Sequence, residues 1–78
     1  MIEVNADIIE YTEDDVKYIQ KEYIITSSYP NTIVKVTIDQ LKNQTYTNDE
    51  GEAIISTSNI EEHTLKVTIN GETITKTL

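Results

Sequence analysis

The segment TLKVTINGETITKTL, residues 64–78, constrains this chain more than any other. Two alternating runs flank Asn70-Gly71, and both of those residues tolerate the positive φ of a type I′ turn. A two-residue turn fixes the register: Ile69 opposite Glu72, Thr68 opposite Thr73, Val67 opposite Ile74, Lys66 opposite Thr75. Leu65, Val67, Ile69 and Ile74 then share one face. Thr64, Lys66, Thr68, Thr73, Thr75 and Thr77 share the other. An aliphatic face backed by a threonine ladder predicts an antiparallel hairpin, one side on a core and one side in water.

The same period runs through the rest of the chain. In residues 1–11, Ile2, Val4, Ala6 and Ile8 take one parity and Glu3, Asn5 and Asp7 the other, which predicts a half-buried strand. TIVKVTI, residues 32–38, places Val34, Val36 and Ile38 together. Tyr29-Pro30-Asn31 reads as a turn, because proline fixes its own φ and pushes the preceding residue into an extended conformation. Residues 39–43 are expected to be a polar connection with Leu41 tucked down as an anchor. QTYT (44–47) and EAIIS (52–56) are expected to flank a turn, and 57–63 to form a loop anchored by Ile60. Isoleucine and threonine, both β-branched, outnumber every other residue type, and both favour strands. About seven short strands, spaced some ten residues apart, predict an all-β fold, a small antiparallel β-sandwich.

Residues 12–25, TEDDVKYIQKEYII, support two readings. As a helix, Thr12 and Asp15 imitate a capping box, and Glu13, Asp14 and Asp15 sit on the positive helix end. Val16, Ile19 and Tyr23 then share a face, with Glu13 and Lys17 as a supportive pair. As a strand from about Val16 to Ser27, the segment points Ile19, Tyr23 and Ile25 inward, with Lys21 at an odd inward position. One short helix near 12–17 followed by a strand reconciles the two.

The 78 residues suit a single domain, 1–78, of a size that usually needs disulfides, a metal or partner chains to be stable. There is no cysteine, so disulfides are excluded. The net charge is −8, and all six basic residues are lysine. Without arginine, the preferred fork for phosphates and base edges, nucleic acid is not an expected partner. A negative field also repels anionic lipid, so no membrane partner is expected either. The acidic opening MIEVNADIIE has neither the basic start nor the apolar stretch of a signal peptide. The expected location is a virion or the cytoplasm of a host cell.

Catalytic constellations are missing. His63 is the one histidine, and Ser56 and Ser58 lack the glycine-flanked setting of an activated serine. In its polar loop, His63 is expected to be solvent-exposed and inert. Gly51 and Gly71 are the only glycines, so no phosphate-cradling loop exists. One histidine and no thiol do not make a zinc site. Glu13, Asp14 and Asp15 are adjacent and point in different directions. Asn48, Asp49, Glu50 and Glu52 lack the alternate spacing and distal bidentate glutamate of a calcium loop. They read as a turn instead, with Asp49 bonding backbone amides two residues on and Gly51 supplying a positive φ. No catalytic set, metal or cofactor is expected, and the chain reads as a non-enzyme.

The stretch from Val34 to Gly71 also resembles the second half of small immunoglobulin-like modules, the invasin-type bacterial domains and the carboxypeptidase-regulatory-like sandwiches. The matching positions are Val34 and Val36, then Thr47, Asp49 and Gly51, then Ala53 and Ile55, then Leu65, Val67 and Gly71, within residues 32–71. The turn is one residue shorter before its glycine than in some members, and Glu72 stands where an aromatic often follows the last glycine. The resemblance implies a noncatalytic adhesion, spacer or structural module, of the kind that decorates phage heads and tails. The expected function is a structural or interaction module, a phage virion accessory protein of the head, tail or neck. Its partners are other structural subunits or further copies of itself. The alternative is an acidic inhibitor that mimics DNA. Its carboxylates, Glu3, Asp7, Glu10, Glu13, Asp14 and Asp15, would stand in for phosphates on one face.

Overall fold

Three two-residue turns fold this chain into three hairpins. The computed structural model describes residues 1–78. Its strands are β1 (Ile2–Glu13), β2 (Val16–Ser27), β3 (Ile33–Ile38), β4 (Leu41–Tyr46), β5 (Glu52–Thr57), β6 (Thr64–Ile69) and β7 (Glu72–Thr77). All pair antiparallel, in one sheet of order β1-β2-β5 and a second of order β4-β3-β6-β7.

The β6–β7 hairpin has the register that Asn70-Gly71 imposes, with Ile69 opposite Glu72 and Val67 opposite Ile74. Both turn residues have positive φ, 51° and 81°. Of the two readings of residues 12–25, the strand from Val16 to Ser27 is the one that forms, and the short helix near 12–17 does not. Thr12 and Glu13 finish β1, Val16 and Lys17 begin β2, and Glu13 pairs with Val16 across an Asp14-Asp15 turn. Asp14 and Asp15 take φ of 51° and 62°, the two positive values of a type I′ turn. Aspartate is among the few non-glycine residues that tolerate this region. The acids that suggest a helix start are therefore the turn that closes a hairpin.

The third hairpin, β3–β4, turns on Asp39 and Gln40, so residues 41–43 are strand and not connection. Leu41 is not an anchor: it lies on an edge strand and is 75% exposed. Ile60 is also exposed. The loop 57–63 is instead held by polar bonds from Lys21 and His63.

The facing sides of the sheets build the core. Ile2 and Val4 of β1, Tyr23 and Ile25 of β2 and Ala53 of β5 meet Val34 and Val36 of β3 and Leu65, Val67 and Ile69 of β6. Thr47 is buried beyond the end of β4. Its Oγ1 accepts from the Thr32 N–H at 2.9 Å and donates to the Tyr29 carbonyl, clamping the Tyr29–Thr32 turn. Gly51 sits against the end of β2, where the Ser27 N–H donates to its carbonyl at 2.9 Å.

Candidate functional site

Strand length creates the most exposed feature. A 12-residue strand runs about 40 Å and a six-residue strand about 20 Å; the molecule's longest dimension is 43 Å. β5 pairs with β2 only over Lys21–Thr26. Residues 9–20 therefore form a two-stranded arm beyond the end of β5, and the apolar alternation of β1 and β2 continues along it into solvent. Ile8 and Ile19 keep the inward parity expected of them, yet are 50% and 42% exposed. On the opposite side, Ile9, Tyr11, Val16 and Tyr18 point outward. Tyr11 and Tyr18 are directly opposite and stack, with centroids 5.2 Å apart at 17°. The arm thus shows apolar side chains on both faces.

The acids proposed for one face divide among three places. Glu3, Asp7 and Glu13 lie on the outward side of β1, joined by Glu22 of β2 and Glu52 of β5. Glu10 has the opposite parity and projects to the other side, opposite Ile19. Asp14 and Asp15 cap the tip of the arm. Nothing in the sequence fixes Glu22 beside Asp7, or Glu52 level with Glu3, until the β1–β2 turn and the β2–β5 register are known.

The turn at 48–52 is organised by Asn48 and not by Asp49. Asn48 Oδ1 accepts from the Glu50 and Glu52 amides at 2.9 and 3.0 Å, and its carbonyl accepts from the Gly51 N–H at 3.0 Å. Gly51 has φ 80° as expected. Across the whole chain, no three His, Asp or Glu side chains converge as metal ligands. No helix is long and apolar enough to cross a membrane.

His63 is not exposed; it retains 7% of its surface. Nδ1 lies 2.7 Å from the Asp39 carboxylate and Nε2 3.0 Å from the Asn59 carbonyl. Asp39 also accepts from the Thr64 N–H at 3.0 Å. A carbonyl and an ionised carboxylate only accept, so this geometry favours the doubly protonated ring, in which both nitrogens donate. The bond to Asp39, then that to Asn59, raises the His63 pKa above its ordinary value. The same His63 bond, then the Thr64 amide, lowers that of Asp39. Lys21, the odd inward lysine, completes the cluster. Its Nζ donates to the Glu61 carbonyl at 2.7 Å and to the Leu78 main-chain oxygen at 3.1 Å, which also accepts from Tyr23 Oη at 3.1 Å. Burial raises the Tyr23 pKa, which keeps the phenol a donor. Lys21 and the His63–Asp39 pair tie the 57–63 loop to β2 and to the turn after β3, while Lys21 and Tyr23 together hold the Leu78 main-chain oxygen, which makes the cluster a structural lock.

The surfaces left to act on other molecules are the apolar arm and the two outward sheet faces. The chain matches no protein-family model, no curated protein and no solved structure.

Proposed function

We propose that this chain is a noncatalytic structural module that attaches to protein subunits of a larger assembly through the β1–β2 arm, as a phage virion accessory protein would. The observation that carries this reading is the arm itself. A two-stranded ribbon in water is marginal alone, and this one exposes Tyr11, Val16, Tyr18 and Ile19 across its two faces, with Ile8 exposed at its base. Such side chains gain most when a partner covers them. The immunoglobulin-like part of the reading draws support from strand order. With the seven strands lettered in chain order as A, B, C, C′, E, F and G, the sheets read A-B-E and C′-C-F-G. Immunoglobulin-type sandwiches likewise group C′, C, F and G in one sheet.

A second reading, the DNA mimic, is favoured by the carboxylates Glu3, Asp7, Glu13, Glu22 and Glu52 on one flat face. Against it, Ile9, Tyr11, Ile24 and Ile54 are interspersed there, and phosphate arrays offer nothing like them.

The test is sedimentation from the native source. The protein is expected in a high-mass fraction with other structural proteins. Tyr18→Thr combined with Ile19→Thr should move it to the low-mass fraction without unfolding it. A wild-type chain found only as free protein would end this reading, and a salt-sensitive complex with a DNA-binding enzyme would replace it with the second.

A further inference from the structure

The two outward sheet faces carry opposite charge. On the three-stranded sheet every outward charged residue is a carboxylate: Glu3, Asp7, Glu13, Glu22 and Glu52. On the four-stranded sheet every outward charged residue is a lysine: Lys35, Lys42 and Lys66. Thr37 pairs with Lys42 on one side and Lys66 on the other, and Lys35 lies two residues along the same strand. The three ammonium groups thus surround one shallow hollow of about 440 Å³. On the other sheet Asp7 and Glu22 are directly opposite, and Glu3 and Glu52 flank Thr26.

Neither set is neutralised within the chain. The only ion pairs are those of the Met1 amine with Glu72 and of His63 with Asp39. Like charges directly opposite on a sheet are destabilising, so the Asp7–Glu22 pair costs the isolated molecule stability that an opposing cation would return.

We propose that copies of this chain stack face to face, with the lysine face of one sandwich on the carboxylate face of the next. This rests on the reading of the chain as a structural subunit and names a partner for it. Lys35, Lys42 and Lys66 of one copy meet Asp7, Glu22 and their neighbours on the other, and Ile33 and Tyr46 meet Ile24 and Ile54. A two-fold contact would set like charges against like, so the contact is heterologous, and its repetition gives an open stack, not a closed dimer. The net charge of −8 opposes assembly in dilute solution. The stack therefore forms at high protein concentration, or where another contact already crowds the copies.

Charge exchange on the full chain tests this by sedimentation at high protein concentration. Wild type is expected to show species larger than a dimer that dissociate in concentrated salt. K35E/K66E, acidic on both faces, and D7K/E22K, basic on both facing patches, should each lose self-association by at least about tenfold, because like charges then oppose across the contact. An equimolar mixture of the two should recover it. Both variants remain net acidic, so bulk attraction does not explain recovery. E61K/E62K, altered in a loop off both faces, should still assemble. Circular dichroism confirms that each variant is folded. Monomeric wild type, or a mixture that stays monomeric, overturns the stack. If the protein nevertheless co-sediments with a native particle, the structural-module reading survives and only the self-stacking fails.

Discussion

Gly51 and Gly71 have almost the same φ, 80° and 81°, but different surroundings. A Cβ on Gly51 would strike the Ser27 carbonyl, whereas one on Gly71 would meet nothing. Gly71→Ala should cost about 1–2 kcal/mol, the strain of a left-handed conformation. Gly51→Ala should cost roughly 2–4 kcal/mol, since it adds overpacking against β2 to that strain. Urea denaturation of the two variants measures the difference, and equal losses would contradict the contact with Ser27. His63 offers a pH dependence. Its pKa is raised by folding, so its contribution to stability is full below about pH 6.5 and is lost as pH rises through the folded value. Asp39 is lowered, so its contribution is present above its ordinary value and is lost as pH falls through the lowered one. The melting temperature should therefore decline as the pH rises above about 6.5 in wild type and more weakly in His63→Gln. Neither the burial of His63 nor its role was legible in the sequence. Its partner Asp39 lies 24 residues away, and only the β3–β6 pairing brings them together.

Hairpins were legible to the degree that their turns were spelled in glycine. Asn70-Gly71 set the β6–β7 register and both of its faces. Val67→Ala should consequently destabilise by about 1–3 kcal/mol through cavity formation, and the outward Thr68→Ala by less than about 1 kcal/mol; thermal melts compare the two. Asp14-Asp15 closes an equally tight turn, but in acids that also suit a helix start, so β1–β2 was half hidden. The alternation of β1 and β2 foretold which way Ile8 and Ile19 point. It did not foretell their burial, which depends on how far the opposite sheet extends. The extended start of β4 was missed for a related reason: a polar edge strand lacks the apolar pattern that marks a core strand.

For the whole molecule, alternation and turn spacing were enough to predict seven antiparallel strands in a sandwich. The order of strands was not predictable from them, because β2–β5 and β3–β6 join segments far apart in the chain. The arm and the two charged faces follow from that order: the first needs the limit of β5, the second needs all seven parities referred to common planes. The arm also divides the molecule unequally. At the root of the β1–β2 hairpin, Val4 and Ile25 are fully enclosed, while the tip touches little beyond its own partner strand. Local opening is cheapest where few buried contacts must break. The hairpin should thus fray from its aspartate turn inward and stop where β5 and the Lys21 bonds begin. Under the proposed attachment, an incoming surface would reshape the tip and order it on contact while the sandwich stays folded, so recognition and folding would fall to different halves of the same two strands.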